Sequence, residues 1–295
     1  MMSKENPVAS LSPEELYGEQ IRFFAQAGLD GEAVQRQLSK TRAVVIGGGV
    51  VGSLTLSLLA EAGVGMLRIL DATRTEARTL PGNALLRAED VGRPRAEALS
   101  ERLRQRHPSL TSESVPANPL SASELAPVLR DTDCAVVCLD SPAPALLDAV
   151  NAAALQAQTR WLMGQVYSGV GLVGPTVIPD QSPCYKCYEL RRNANLSNYE
   201  ETVQYESRLR QMPGIRSECV APRPLAALLS AFLALEVQRL LTGVSTPQTV
   251  GRILRLDFFA TDMTSHQILR FPNCPACGYG KQRKLPLVSQ LPPRA

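Results

Sequence analysis

The chain is organised around RAVVIGGGVVG, residues 42 to 52. Its apolar residues predict a short strand, and Gly47, Gly49 and Gly52 fit the G-x-G-x-x-G pattern that joins such a strand to a helix. Asp71 ends a second apolar strand about 20 residues further on. Glycines let the backbone approach a phosphate, the helix start offers N–H groups, and an aspartate can accept hydrogen bonds from a ribose. The stretch therefore predicts an adenine-nucleotide fold; the alternative is a loop that packs helix on strand and binds nothing.

Helices and strands alternate after this stretch. The sequence predicts a charged helix at 93–106, a weak strand at 112–116 and a helix at 122–130. A continuous apolar strand at 133–139 and a further helix at 143–157 follow. Such alternation is typical of α/β proteins with a doubly wound, mostly parallel, Rossmann-like sheet. Asp140 lies just past the apolar strand, at the sheet edge where ligands bind in these folds. The alternative is that Asp140 caps the helix that follows Pro142.

The pattern changes in the second half of the chain, where β-prone segments predict a C-terminal antiparallel extension of the sheet. These segments are 161–166, 169–178, 253–259 and 265–271, with a turn of the last hairpin at 261–263. The polar stretch 193–218 is expected to be a long crossover segment outside the core, a kind that is uncommon unless it binds something. An apolar helix is expected over 225–241, closed by Gly243.

Length and composition limit the possible functions. With 295 residues, of which 44% are hydrophobic, the chain can form one large α/β domain. A net charge of +3 is too small to indicate a nucleic-acid or membrane-surface partner. The N-terminus has no apolar segment behind a basic start, and Glu236 interrupts the apolar helix before the length that a membrane span needs. The sequence therefore predicts a cytoplasmic protein without nucleic-acid or membrane partners.

Three segments are expected along the chain. Residues 1–40 form an N-terminal helical segment of two amphipathic helices, broken near Gly28, with Ser12 as the first N-cap. Residues 41–279 form the Rossmann-like domain. Residues 280–295 contain basic residues and three prolines, and this composition predicts a flexible tail.

Four of the seven cysteines form two C-x-x-C pairs, Cys184 with Cys187 and Cys274 with Cys277. Two such knuckles can close a tetrahedral zinc site with four thiolates. Because no ligand position stays open, the zinc is expected to be structural and to fasten the C-terminal hairpin to the middle of the chain. A redox dithiol is the alternative, but it needs only one exposed pair and leaves the second unexplained.

Three other cysteines have different settings. Cys134 and Cys138 lie in the apolar strand and are interpreted as core residues. Cys219 stands alone at the end of the polar crossover, before the apolar helix, where an exposed thiol nucleophile could act. It is a candidate catalytic residue; an incidental cysteine is the alternative.

These features together resemble the ThiF/MoeB/HesA family, the bacterial relatives of ubiquitin-activating enzymes. The resemblance extends from about Leu11 to Cys277, and is also carried by L-S-P-E-E-L at 11–16, D-V-G-R-P at 90–94 and L-D-S at 139–141. It implies a homodimer that binds MgATP and adenylates the C-terminal carboxylate of a carrier protein or peptide. The nucleotide-binding positions that it implies are Gly47, Gly49, Gly52, Asp71, Arg95 and Asp140.

The chain departs from the family pattern around the expected phosphates. Thr73 replaces the second acidic residue of the family, and Arg95 replaces its lysine. In ungapped register, Thr79, Gly82 and Asn83 replace an asparagine, an arginine and a glutamine. Glu19 replaces the arginine of the N-terminal helix. Removing one donor that stabilises developing charge typically costs about 100- to 1000-fold in rate. Arg87 could compensate from a shifted register. The sequence predicts a degenerate ATP site without efficient adenylation, and MgATP is kept only as an alternative cofactor.

Residues 183–195 resemble the ThiF-like partner proteins of ribosomal peptide natural-product pathways. This implies a protein that binds a precursor (leader) peptide beside a peptide-modifying enzyme such as a cyclodehydratase. Residues 1–40 are too few for the winged-helix element that many such proteins carry, so the peptide is expected at a sheet edge, the crossover or a dimer groove. Two alternatives stay open: an adenylyltransferase for a ubiquitin-like carrier or peptide, with Cys219 as acceptor, and a nicotinamide oxidoreductase. The last lacks a hydride-transfer site and leaves the cysteine pairs unexplained.

Overall fold

A computed structural model describes residues 11–115, 121–167, 169–212 and 222–278 of the chain. The strands are β1 (Arg42–Ile46), β2 (Met66–Leu70), β3 (Thr111–Val115), β4 (Cys134–Leu139), β5 (Arg160–Tyr167), β6 (Val170–Val173), β7 (Arg252–Asp257) and β8 (Asp262–Gln267). They form one sheet of eight strands in the order β3-β2-β1-β4-β5-β6-β7-β8. The predicted α/β class with an antiparallel C-terminal extension is confirmed.

The first half of the sheet is parallel. β1 lies between β2 and β4, while β3 and β5 continue the sheet on either side. Every residue of β4 is buried, as expected for a central strand that is covered on both faces. Because β1 and β4 are parallel neighbours, Gly47 and Asp140 emerge at the same edge of the sheet.

The second half of the sheet is antiparallel, from β5 through β6 and β7 to β8. Two boundaries differ from the prediction. β6 ends before the cis Gly174–Pro175 peptide, so the expected run 169–178 is only partly a strand. The hairpin turn lies at 258–261, ahead of the expected 261–263, because the Asp257 carboxylate accepts hydrogen bonds from the N–H groups of Phe259 and Ala260.

Helices cover both faces of the sheet. They are α1 (Pro13–Gln26), α2 (Gly31–Leu38), α3 (Val50–Glu61), α4 (Arg95–Arg106), α5 (Ala122–Leu129), α6 (Pro144–Ala157), α7 (Tyr185–Asn193), α8 (Tyr199–Gln211) and α9 (Arg223–Thr242). One apolar core joins α3, α4 and α9 to the first face, and a second joins α5, α6 and the start of α7 to the other. Phe24 of α1 and Leu38 of α2 belong to the first core, so the N-terminal helices pack on the same sheet.

α9 is a core helix. By length and composition alone it could cross a membrane, but half of its apolar window is buried inside the protein. Its Glu236 is 1% exposed and accepts hydrogen bonds from the backbone and hydroxyl of Thr249. Gly243 ends the helix at a φ of +70°, as predicted from the sequence.

Within the predicted crossover 193–218, residues 199–211 form the helix α8, an element that the sequence did not predict. Leu209 is its only buried residue among those described, so the apolar periodicity that reveals a helix is absent. Charged residues on its inner face bond to α6 and α7 in place of apolar contacts. Residues 213–218 of this stretch, and the expected tail at 280–295, lie outside the described residues.

Candidate functional site

The Gly-rich loop joins β1 to α3 and lies against the end of β4. Gly47 has a φ of +98°, and a Cβ there would lie 2.2 Å from the carbonyl oxygen of Cys138. A Cβ at Gly52 would lie 1.8 Å from the carbonyl oxygen of Gly47. Both positions require glycine, as the sequence pattern predicts for a tight strand-to-helix turn. The N-cap of α3 is Gly49, which has no side chain to bond the first N–H groups of the helix.

Asp140 bonds those N–H groups instead. Its Oδ2 accepts from Val50 at 2.7 Å and its Oδ1 accepts from Val51 at 3.0 Å. Burial raises the pKa of Asp140 above its ordinary value, while the two backbone hydrogen bonds oppose the shift. The alternative that Asp140 caps the following helix is wrong, since α6 has Ala143 at its N-cap and no side-chain cap bond. A carboxylate of the chain therefore occupies the helix start that would bind a phosphate.

Asp71 is also bonded within the chain. Its Oδ2 accepts from the Gly48 N–H at 2.8 Å, and its Oδ1 accepts from the N–H and the hydroxyl of Thr73 at 2.7 and 2.6 Å. The guanidinium of Arg95 lies 3.4 Å from the same carboxylate, and both side chains are buried. The structure thus brings together Asp71 and Arg95, two predicted nucleotide-binding residues, as an ion pair.

Residues 77–82 form a 3₁₀ helix beside the loop. A Cβ at Gly82 would lie 2.8 Å from Cγ2 of Val50, so this segment touches the first residue of α3. Asn83 is buried and donates to the carbonyl oxygen of Gly48 at 3.4 Å. The hydroxyl of Thr79 donates to the carbonyl oxygen of Glu76. The ungapped positions of the family's asparagine, arginine and glutamine therefore place no cation at the loop.

Arg87 lies at a different place from the loop. It lines a cavity of about 320 Å³ together with Arg102, Gln105 and Arg106. Arg102, Gln105 and Arg106 belong to the C-terminal half of α4, about 10 to 16 Å along the helix from Arg95 at its start. The idea that Arg87 compensates for a missing cation at the loop has no support in this arrangement.

The four cysteines of the C-x-x-C pairs form one cluster, with all four Sγ atoms within 4.8 Å of one another. The Sγ of Cys184 lies 4.0 Å from that of Cys187 and 3.7 Å from that of Cys274, and the Sγ atoms of Cys187 and Cys277 are 3.5 Å apart. Tetrahedral zinc, with Zn–S bonds of about 2.3 Å, requires sulfurs about 3.8 Å apart. The spacing fits a bound metal ion and is consistent with zinc.

The surroundings of the cluster also suit a metal. The N–H of Phe271 donates to the Sγ of Cys187 at 3.4 Å, a contact typical of a thiolate. Hydrogen bonds from Cys184 and Cys277 lower the pKa of Cys187 below its ordinary value. The described cysteines form no disulfide, so the four sulfurs are available as ligands.

An ion network joins the cluster helix α7 to α6 and α8. Glu189 of α7 is 3% exposed and bonds both Lys186 and Arg210. The Nε of Arg210 also donates to Asp148 of α6 at 2.9 Å. Because α8 buries only Leu209 among its described residues, these charged contacts carry much of its attachment.

The remaining cysteines have no place in either cluster. Cys134 and Cys138 are buried in β4, and burial raises the pKa of each thiol to about 12, which confirms their interpretation as core residues. Cys219, the candidate catalytic residue, lies outside the described residues.

Sequence reasoning missed several residues that shape the loop. Ser230 of α9 donates to the carbonyl oxygen of Val51 at 3.0 Å, although the two are far apart in the sequence. Thr73 supports Asp71, and Asn83 contacts Gly48. The contacts of Ser230 and Asn83 depend on how distant segments pack, so no local signal marks them, whereas the contact between Thr73 and Asp71 joins residues two positions apart.

Known proteins are similar to this chain in sequence and in fold. The profile of the ThiF family matches residues 17–276. The sulfur carrier protein adenylyltransferase of Thermus thermophilus is 27% identical over 87% of this chain and 88% of its own length. The molybdopterin-synthase adenylyltransferase of Escherichia coli is 26% identical over 92% of this chain and 100% of its own length. These similarities describe an adenylyltransferase-like protein.

A solved structure with the same fold is MccB of E. coli. MccB solved with ATP has a TM-score of 0.78 and 21% identity, covering 92% of this chain and 75% of MccB. MccB, a microcin C7 biosynthetic enzyme, has also been solved in complex with N-formylated MccA, with a TM-score of 0.77 and 20% identity over 89% of this chain and 75% of MccB. Identity at this level shows the fold alone. The profile match, which spans most of the sequence, shows that this chain belongs to the ThiF family.

Proposed function

We propose that this chain is a zinc-stabilised ThiF-like protein that binds a ribosomally made precursor peptide and does not adenylate it efficiently. One observation carries the proposal: the N–H groups of Val50 and Val51 at the Gly-rich loop are bonded to Asp140. A triphosphate that enters must displace this carboxylate from the start of α3, and like charges repel. Arg95 faces Asp71, so its charge is partly neutralised before any phosphate arrives.

A peptide ligand is supported by the likeness to MccB, which has been solved with MccA. Within the described residues, β8 is an edge strand that pairs only with β7, so one side of its backbone can pair with an added strand. Phe259 and Met263, at the hairpin end, are 81% and 55% exposed and could contact apolar peptide side chains. We therefore place the peptide along β8 by β-augmentation.

Binding and turnover assays test this proposal. Where a short reading frame flanks this gene, the probe is the synthetic peptide that it encodes, with a scrambled peptide as control. Fluorescence anisotropy should show that the native peptide binds without ATP, and a Met263→Asp variant should bind it more weakly. ATP–pyrophosphate exchange should stay at the blank level with and without the peptide. Exchange above the blank that is abolished in Asp140→Ala would overturn the proposal.

An active adenylyltransferase is the second candidate. It is supported by the curated relatives, which are named adenylyltransferases and are matched over most of their length. Its substrate would be the C-terminal carboxylate of a ubiquitin-like carrier or a peptide, with MgATP as cofactor and Cys219 as an acceptor thiol. Exchange that needs Asp140, together with a thioester lost in Cys219→Ala, would establish this function.

The proposal extends to the assembly. Zinc would occupy the four-cysteine cluster as a structural ion, and the chain would act as a cytoplasmic homodimer beside a peptide-modifying enzyme. The segment boundaries at 1–40, 41–279 and 280–295 belong to the same proposal. Light scattering gives the mass of the assembly and elemental analysis gives its zinc content. A monomer, or a chain purified without metal, would contradict these parts.

A further inference from the structure

The end of the β7–β8 hairpin carries an exposed apolar surface. Phe258, Phe259 and Met263 are 43%, 81% and 55% exposed, and all three lie around the hairpin turn. The rings of Phe258 and Phe259 meet edge to face, with centroids 5.4 Å apart. We call these three residues the hairpin patch. Single exposed apolar residues are ordinary, whereas neighbouring ones can mark a contact surface.

The backbone holds the hairpin patch in place. The N–H of Phe258 donates to the carbonyl oxygen of Gly169 at 3.0 Å, which ties the turn to the start of β6. A Cβ at Gly169 would lie 2.4 Å from Cε2 of Phe259, so this ring packs on the glycine and still leaves most of its surface exposed. The Asp257 carboxylate bonds the N–H groups of the turn. The patch is therefore formed before a partner binds, which lowers the entropic cost of binding.

Two carboxylates lie beside the hairpin patch. Asp257 and Asp262 face each other across the hairpin, and like charges in such a pair are unfavourable. Arg255 bonds Asp257 at 2.7 Å, whereas Asp262 is exposed and forms no ion pair within the described part of the chain. A cation beside Asp262 would offset the repulsion. The hairpin end thus suits a partner that is both apolar and basic.

The C-terminal segment 279–295, which lies outside the described residues, has this composition. Three basic residues come first, Lys281, Arg283 and Lys284. The apolar run 285–288, L-P-L-V, follows directly. No Asp or Glu comes after Asp262 in the sequence, so every charged side chain of the segment is a cation. The segment is therefore complementary to the hairpin end in both charge and polarity.

The C-terminal segment starts near β8. It follows Gly278, whose N–H donates to the carbonyl oxygen of Cys274 in the cysteine cluster. Pro183 lies directly before that cluster, and Ile268 directly follows β8. Both lie within 4 Å of the position that a Cβ on Gly251 would take. The cluster, and with it the start of the segment, is therefore close to the end of β8 that lies away from the turn.

The length of the segment is sufficient to reach the hairpin patch. β8 has six residues and is about 20 Å long. Residues 279–288 span at most about 35 Å when extended, which leaves about 15 Å for the gap between Gly278 and β8. The basic residues can therefore lie along β8 towards Asp262, with the apolar run at the turn.

We propose that residues 281–288 dock on the hairpin patch of the same chain, with Lys284 beside Asp262 and with Leu287 and Val288 on the exposed aromatic rings. Because the segment is tethered at Gly278, its effective concentration at the patch is about millimolar. A weak contact is therefore sufficient to keep it docked for most of the time. Docking orders a segment whose composition alone predicts flexibility.

The docked segment covers part of the surface that the proposed function gives to the precursor peptide. This consequence rests on the proposed function, whereas the docking depends only on residues of the chain itself. The segment then acts as an internal competitor that a precursor peptide must displace.

Limited digestion of the full chain with trypsin tests the docking, because Lys281, Arg283 and Lys284 are cleavage sites. The synthetic peptide of residues 279–295 gives the rate for an undocked segment. Cleavage in the full chain should be about 5- to 10-fold slower than in this peptide, since the rate follows the fraction of time that the segment is undocked. Intact-mass spectrometry measures both rates. Dilution should leave the protection unchanged, because the contact is within one chain.

Two substitutions locate the contact. Phe259→Ser should abolish most of the protection, and Phe23→Ser is the matched control, since Phe23 is 65% exposed but lies on α1. Leu287→Asp, compared with a peptide that carries the same change, should have the effect of Phe259→Ser, and the double variant should lose no more than either alone. Circular dichroism confirms that each variant is folded, and Leu287→Asp gives the answer if Phe259→Ser is not.

Equal cleavage rates in the full chain and the peptide, or protection that survives both substitutions, would overturn the inference. Protection that is lost on dilution would show that the segment docks on a second copy, which contradicts a contact within one chain.

The digestion uses no precursor peptide, so its outcome is independent of the proposed function. In the anisotropy assay, Leu287→Asp should bind the precursor peptide about 5- to 10-fold more tightly, because the competing segment is released. Equal affinity would show that the segment and the peptide do not share a surface. A precursor peptide that binds neither protein would contradict the proposed function and leave the docking standing.

Discussion

The Gly-rich loop and the cysteine cluster differ in how their polar groups are satisfied. At the loop, the N–H groups of Gly48, Val50 and Val51 are bonded to carboxylates of the same chain. In the cluster, the four sulfurs face mainly one another. The sulfur spacing suits a metal ion supplied from outside, whereas the backbone donors of the loop already have partners within the chain. A preserved motif therefore does not by itself show that a ligand binds; the partners of its atoms have to be examined.

The largest effect is expected from breaking the cluster. Cys187→Ser should lower bound zinc from about one ion per chain to below about a tenth, because a ligand of the tetrahedral site is lost. The melting temperature should fall by more than about 10 °C, since the ion fastens α7 to the segment after β8. Elemental analysis and calorimetry measure both quantities. Cys134→Ala, a change at a buried cysteine outside the cluster, should keep its zinc. Full zinc content in Cys187→Ser would contradict the proposed difference between the cysteine cluster, which binds an external ion, and the Gly-rich loop, which is bonded within the chain.

The half of the molecule that carries the loop also contains a buried ion pair, whose anion is Asp90. Asp90 is fully buried and accepts from Arg102 at 2.9 and 3.0 Å. Asp90→Asn should lower the free energy of unfolding by about 3 kcal/mol, because a buried guanidinium loses its charged partner. Glu89→Gln is the control, since Glu89 bonds the same arginine but is 64% exposed, and should cost under about 1 kcal/mol. Urea unfolding that gives equal losses would contradict this account.

The pKa of Asp90 predicts how the stability of the protein changes in acid. Burial alone would raise the pKa of Asp90, but hydrogen bonds from Arg102 and the backbone of Arg87 outweigh it, and the pKa is lowered. The pKa of an aspartate in the unfolded chain is about 3.9. Because the pKa of Asp90 is lower in the folded protein, the ionised carboxylate stabilises the fold above about pH 3.9, and this stabilisation is lost as the pH falls through the pKa of the folded state. Urea midpoints should therefore decrease below about pH 4, less steeply in Asp90→Asn. The pKa of Asp140 is raised, so its contribution to the free energy of unfolding changes with pH in the opposite direction.

A smaller effect sharpens the comparison at the loop itself. Asp140→Ala should lower the free energy of unfolding by about 1 kcal/mol, because the start of α3 loses its cap. Asp140→Asn should retain part of this stability, since the amide oxygen can still accept one of the two hydrogen bonds. Thermal melts of the two variants in the absence of nucleotide measure the difference. Equal stability of Asp140→Ala and the unaltered protein would show that the loop is not held closed by this carboxylate.

The smallest effect is expected at α8. Arg210 bonds Asp148 and Glu189 but is 30% exposed, so Arg210→Met should cost less than about 1 kcal/mol of global stability. Local opening should respond more, because few apolar contacts hold the helix. Hydrogen exchange in residues 199–211 should become faster than in Arg208→Met, a change at an exposed arginine of the same helix. Identical exchange in both variants would show that the ion network does not fix α8.

Local patterns were sufficient for the parallel sheet, the Gly-rich turn and the pairing of cysteines. β4 is a run of apolar residues because both of its faces are covered, and this is visible in the sequence. The helix α8 could not be predicted from periodicity, because its inner face carries Glu206 and Arg210 where a helix usually carries apolar residues. The hairpin turn was displaced because Asp257 bonds backbone groups within it.

Spacing along the chain was sufficient to predict the fold class, the family and the four sulfurs of the cluster. The partners of the loop residues depend instead on how distant elements pack. Asp140 caps α3 and not α6 because β4 lies beside β1, and Asp71 faces Arg95 because α4 packs on β2. A motif fixes the geometry of its own backbone, whereas the groups that bond it arrive from distant segments through packing. Whether an anion site is free or filled is therefore a property of the fold.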